Sequence, residues 1–132
     1  MALVTPDQKG EILMLQYIVG LVDAGNPVLH LYGNDVTPTD SSVIGDLTEC
    51  TSSGYAAITL VSSNWTTTQN AGVTTAVYSE KTFSFNTAAT AYGYYVTDTS
   101  GNLLWLERFS GAPFDIPDGG GSISITTKLT LS

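Results

Sequence analysis

Apolar residues alternate with Ser, Thr and Lys along much of the chain, and that period of two predicts strands. It is plainest in Ser122-Ile123-Ser124-Ile125-Thr126-Thr127-Lys128-Leu129-Thr130-Leu131, which reads as one ten-residue strand burying Ile123, Ile125, Leu129 and Leu131. Val28 to Tyr32 alternates as well, with Leu29 and Leu31 on one face and Val28, His30 and Tyr32 on the other. Tyr55 to Val61 places Ile58 and Leu60 together, and Val73 to Phe85 reads as strand with an interruption near Ser79-Glu80-Lys81. The clearest hairpin joins Tyr92–Asp98 to Leu103–Phe109 through Thr99-Ser100-Gly101-Asn102. Thr-rich stretches separate these runs, and Asn64-Trp65-Thr66, although it matches a glycosylation acceptor, reads as ordinary strand or loop.

Only the first quarter of the chain departs from this period. Thr5 followed by Gln8 suits a capping box, and Pro6 suits the first helical position. Leu15, Ile18, Val19 and Val22 then recur at helical spacing, with Gly20 or Gly25 as the stop. Ile12 to Leu15 cover nearly the whole circumference, so this helix packs either between two surfaces of its own chain or against a partner subunit. Between Gly33 and Cys50, turn formers and the acids Asp35, Asp40, Asp46 and Glu49 predict a long loop with a helical turn near Ile44–Leu47. Unstructured connections of this length commonly have a function. Short strands separated by Gly, Asn and Pro turns point to an all-β fold, an antiparallel β-sandwich or jelly-roll-like barrel with one N-terminal α-helix. The expected organisation is a single domain over 1–132, with an arm and helix in 1–25 and the sandwich in 26–132.

Composition agrees and adds exclusions. At 132 residues the chain has one domain's worth of core, and its polar surface comes from 13 Ser and 19 Thr, since only 12% of residues are charged. Four Lys or Arg against twelve Asp or Glu give a net charge of −8, and the cations Lys9, Lys81, Arg108 and Lys128 never cluster. Neither a nucleic acid nor an anionic membrane is therefore an expected partner. Cys50, the single cysteine, rules out an intrachain disulfide and a multi-cysteine zinc site. Ile12–Val22 lacks a cationic flank and is too short to span a bilayer, so no export signal or membrane anchor is expected.

Candidate chemistry is sparse. The one histidine, His30, sits in a strand, and no Gly-x-Ser-x-Gly elbow is present. Glu49, Glu80 and Glu107 are nominal glycosidase carboxylates, but that chemistry requires two carboxyls held across a cleft. Gly119-Gly120-Gly121 lacks a following lysine and precedes a strand, so it reads as a turn and not a phosphate loop. Asp35, Asp40 and Asp46 carry the hard oxygen ligands calcium prefers, without EF-hand spacing, and read as a solvated acidic loop. Trp65, Tyr92, Tyr94, Tyr95 and Trp105 offer either core packing or a stacking platform for a sugar. The expectation is a protein without catalytic residues, cofactor or metal.

The run Ala91-Tyr92-Gly93-Tyr94-Tyr95-Val96-Thr97-Asp98, then Gly101-Asn102-Leu103-Leu104-Trp105-Leu106-Glu107-Arg108-Phe109, then Gly120-Gly121-Ser122-Ile123 and Lys128-Leu129-Thr130-Leu131, resembles small structural proteins of tailed bacteriophages. Met1-Ala2-Leu3-Val4-Thr5-Pro6 and the following helix resemble the same group. The resemblance implies a non-enzymatic virion protein made in the host cytoplasm, placed on the capsid surface as a cement or decoration protein. Tail or neck components, including a tail-associated receptor- or glycan-binding module, are the alternative. Implied partners are the major capsid protein or other virion proteins and further copies of this chain, a trimer among the arrangements such proteins adopt. The contacts expected under this reading come from Leu3, Val4, Leu13, Leu15 and Ile18 in the N-terminal segment and from Asp35, Asp40 and Asp46 in the acidic loop.

Overall fold

A computed structural model describes residues 3–7 and 9–131. The chain is an antiparallel, sandwich-like all-β protein with one helix near its N-terminus. The central sheet has the order β2-β1-β7-β8, from Ile58–Thr59, Val28–Tyr32, Gly93–Thr97 and Leu103–Arg108. Three smaller sheets complete it: β3 (Trp65–Asn70), β4 (Val73–Tyr78) and β11 (Lys128–Leu131) in the order β11-β4-β3; β5 (Lys81–Phe85) with β10 (Gly121–Ile125); and β6 (Ala89–Ala91) with β9 (Phe114–Ile116).

Leu29 and Leu31 of β1 and Tyr94 and Val96 of β7 form the main core with Tyr78, Phe83, Phe85 and Ile125 from the smaller sheets. The opposite face of the central sheet is not left to solvent. Tyr32, Tyr95, Leu103 and Leu106 form a second cluster there, covered by Val4, Val36, Leu47 and Tyr92. The N-terminal arm and the long loop therefore act as a third layer, and every residue of β7 is buried. Val4 and Leu106 exchange backbone hydrogen bonds of 2.9 and 3.0 Å, which stitches the arm to β8.

The terminal run is not one strand. It breaks at Thr126-Thr127, with β10 pairing to β5 and β11 pairing to β4. The break falls opposite the interruption at Ser79-Glu80, so two consecutive strands change partners together. Of the four side chains expected inside, Ile125 is buried, Ile123 and Leu129 are half-buried, and Leu131 is exposed, because β11 runs out along the rim of the sandwich. Trp65–Asn70 is a full strand that the Thr-rich pattern conceals: beyond Trp65 all its side chains are exposed, so no apolar face marks it. Ala71 and Gly72, both with positive φ, close its hairpin with β4. Conversely, the strand expected over Tyr55–Val61 shrinks to two paired residues.

The helix α1 spans Gly10–Ile18, beginning later than Pro6 suggests and ending before Val22. The capping partner Gln8 lies outside the described residues. Its start is set by packing: Gly10 lies on the backbone of β8, where a Cβ would collide with the Leu104 carbonyl. Its end is set at Gly20, in the left-handed region at φ 75°, while Leu21 N–H donates to the Gln16 carbonyl at 2.9 Å. No described helix is long and apolar enough to cross a membrane.

Candidate interaction surface

Only one side of α1 is used internally. Gly10 and Leu13 are buried against the core, with Met14 and Tyr17 partly so, and the Tyr17 hydroxyl donates to Asp98 Oδ2 at 3.2 Å. Among the described residues nothing covers the opposite side. Leu15 is 66% exposed, Ile18 78% and Val19 73%, and Ile12, Leu21 and Val22 are also exposed. Scattered exposed leucines are ordinary, but contiguous apolar patches are characteristic of interaction sites, which makes this face the candidate surface. Beside it runs a groove of about 520 Å³ between α1 and β11, lined chiefly by Met14, Leu15, Tyr17, Ile18, Leu129 and Leu131.

The five apolar contact candidates thus separate by location. Leu15 and Ile18 stand on the open face, whereas Leu13 belongs to the core and is 7% exposed. Leu3 and Val4 are half-buried, Leu3 against the main core and Val4 in the second cluster. The helical period alone cannot tell these sides apart, because both are aliphatic.

The acidic loop is more ordered than a solvated connection. Its ends close on each other: Gly33 N–H donates to the Thr48 carbonyl at 2.8 Å, and Cys50 N–H to the Leu31 carbonyl at 3.0 Å. Asn34 spans the interior, its Nδ2 donating to the Asp46 carbonyl and its Oδ1 accepting from Thr48 N–H, both at 2.8 Å. Ile44–Asp46 forms the expected helical turn as a 3₁₀ segment, and Asp46 Oδ2 accepts from Val43 N–H at 3.0 Å. Asp35 pairs with Arg108 at 2.7 Å, while the same guanidinium donates to the Val36 carbonyl and lies over the Tyr92 ring. Asp40 is exposed, and its carbonyl accepts from Asp7 N–H at 2.9 Å. The three acids therefore serve separate roles and do not converge on one point. Among the described residues no group of three or more His, Cys, Asp or Glu is placed to hold a metal ion. The loop tip does meet the helix start, since Val43, Ile44, Pro6 and Lys9 line one shallow pocket.

His30 has a fuller environment than a residue on an outer strand face. Nδ1 lies 2.7 Å from Glu49 Oε1 and Nε2 lies 2.9 Å from Thr97 Oγ1, and the ring stacks on Tyr95 with centroids 4.6 Å apart. Where Glu49 accepts from Nδ1, a neutral imidazole leaves Nε2 to accept from the Thr97 hydroxyl, whereas an imidazolium donates from both nitrogens. Glu49 Oε1 also accepts from the Tyr55 hydroxyl at 2.8 Å, which in turn accepts from Leu31 N–H. The Glu49–His30–Thr97 chain has the connectivity of a nucleophile relay. Thr97, however, is 4% exposed within the sheet, so its hydroxyl is not presented to a substrate. The arrangement fastens the end of the loop to β1 and β7. Glu107 is likewise engaged, accepting from the Tyr94 hydroxyl at 2.9 Å.

Burial raises the Cys50 thiol to about 11, with Glu49 adding to the shift, so this cysteine is held as the thiol. Among the aromatic candidates, Tyr94, Tyr95 and Trp105 are buried, and Trp65 packs edge-on against Tyr78 and Trp105. The hairpin is core and not a platform. The aromatic surface lies elsewhere: Phe114 is exposed, edge-to-face with Phe109 at 5.3 Å, beside a groove bearing Ser110, Ser122 and Ser124.

Comparison of the chain with protein-family models, with curated proteins and with solved structures finds no match.

Proposed function

We propose that this protein is a non-enzymatic structural component of a bacteriophage particle, a cement or decoration protein that binds across neighbouring capsid subunits. One observation carries the assembly part of this reading: the uncovered aliphatic face of α1, centred on Leu15 and Ile18. A side of the helix that the fold leaves bare is suited to a protein contact, and its burial supplies the driving force. The rest of the surface is rich in Ser and Thr and poor in charge, so packing against neighbours desolvates few ions. The virion assignment rests on the sequence resemblance.

In this reading the face of α1 meets another protein chain, and the loop with Asp35, Asp40 and Asp46 faces the major capsid protein or another virion protein. The mechanism is mass action. A protein that binds only the assembled lattice stabilises it by its binding free energy, multiplied over many repeated sites. Cryo-imaging of particles tests the assignment: density for this chain over the capsid lattice, in copies numbering hundreds, is the expected result. Its presence only at the tail or neck, or in no particle, overturns it.

A glycan-binding module at the tail is the second reading, and the Phe109–Phe114 pair with its three serines favours it, since an exposed ring edged by hydroxyls suits a sugar. Binding of the isolated protein to a glycan, abolished by Phe114→Ala, is what it requires.

A further inference from the structure

We infer that the aliphatic face of α1 is covered by a second copy of the same chain, the two helices packing antiparallel across a two-fold axis. This deepens the assembly reading above, because it names the occupant of that face.

Spacing is the first support. Ile12, Leu15 and Val19 fall at i, i+3 and i+7 over α1 and its C-terminal cap, the seam spacing by which one helix packs on another, and all three are exposed. Ridge and groove also lie side by side: Leu15 and Ile18 both project from the helix and border the groove of about 520 Å³ against β11. A surface with its ridge next to its groove fits its own copy under two-fold rotation, each ridge entering the other's groove.

Charge is the second support. The chain carries −8, so two copies repel wherever acidic surfaces meet. From Gly10 to Val22 the only Asp, Glu, Lys or Arg is Glu11, which borders the groove, so contact through this stretch brings together one like charge from each copy. Antiparallel packing sets the two Glu11 side chains at opposite ends of the contact and opposes the helix dipoles, whereas parallel packing brings both Glu11 together.

Area is the third. Ile12, Leu15, Ile18, Val19, Leu21 and Val22, with Leu131 on the far bank of the groove, expose several hundred Å² of aliphatic surface, approaching the ~800 Å² that each partner gives up in a standard interface.

Analytical ultracentrifugation of the full chain from about 1 to 100 µM tests the inference. The expected mass is twice 13.9 kDa for the native protein, and a monomer for Leu15→Glu/Ile18→Glu with unchanged circular dichroism, an association roughly 30-fold weaker or more. Val73→Glu, which alters exposed apolar surface on β4 outside the lining of the groove, stays dimeric. A monomeric native protein over this range, a trimer, or a dimer that persists in the double variant overturns the inference. Rapid disulfide linkage between copies of Glu11→Cys overturns the antiparallel arrangement, and Cys50 does not interfere because it is buried. Particle loading is scored separately. A native monomer that still loads onto capsids sinks the self-contact and leaves the cement reading intact, and a stable dimer that never loads does the reverse.

Discussion

Leu13 and Leu15 are two residues apart on the same helix, equally hydrophobic, and face opposite environments. Truncating each to alanine separates the structural from the interacting side of α1. Leu13 is 7% exposed and packs in the main core, so Leu13→Ala removes buried methyl groups and leaves a cavity, at a cost of about 2–5 kcal/mol. Against a total stability of ~5–15 kcal/mol, the melting temperature falls by roughly 6–20 °C. Leu15→Ala removes side-chain atoms already largely in water, and its intrinsic effect is within about 0.5 kcal/mol. The assay is thermal unfolding followed by circular dichroism at a low and a high protein concentration. A self-associating face makes the native melting temperature rise with concentration, because dimerisation adds its mass-action term to the folded state. Leu13→Ala is then destabilised at both concentrations, whereas Leu15→Ala departs from the native protein only at the higher one. Equal losses for the two variants at low concentration, or no loss for Leu13→Ala, would refute the orientation of α1 and with it the argument for an open face.

Three further outcomes follow from particular contacts. Asp98 turns the β7–β8 hairpin: burial opposes its charge, but donors from Asn102, Ser100 and Tyr17 outweigh this and hold its carboxyl below the usual range. Its stabilisation is present above the unfolded-state value of about 3.9 and is lost as pH falls through the lower folded value, so Asp98→Asn costs about 1–3 kcal/mol at neutral pH and flattens the acid limb of a stability–pH curve. At Gly93 an added Cβ would run into the Glu107 carbonyl and the Tyr32 ring, so Gly93→Ala costs about 1–3 kcal/mol by overpacking, measured by urea unfolding. Cys50, buried and raised to about 11, resists a thiol-specific reagent at pH 8 in the native protein and reacts promptly in denaturant; fast native labelling would contradict its placement.

Local pattern was sufficient wherever one face of an element is apolar and the other polar. Val28–Tyr32 and the two parts of Val73–Phe85 stand where their alternation puts them, as does the hairpin around Ser100-Gly101. Trp65–Asn70 escaped because both its faces are polar, and pairing with β4 through the backbone leaves no trace in side-chain periodicity. The contact candidates illustrate the same limit, since a helix that is aliphatic all round conceals which side the fold will use.

The sequence by itself determined an antiparallel β protein with one apolar helix, an acidic loop between β1 and β2, a surface of Ser and Thr, and a charge that disfavours polyanions. These are properties of composition and of periods two to four residues long, and they need no knowledge of distant neighbours. Tertiary structure alone decided that the terminal run divides between β4 and β5, that the arm and loop seal the second face of the central sheet, and that His30 lies between Glu49 and Thr97. It also decided that Leu13 is core while Leu15 and Ile18 remain open. Each depends on contacts between residues far apart in the chain, where the approach of a carbonyl to Gly10 or the reach of a carboxylate to a ring nitrogen sets the outcome, and no local repeat encodes that approach.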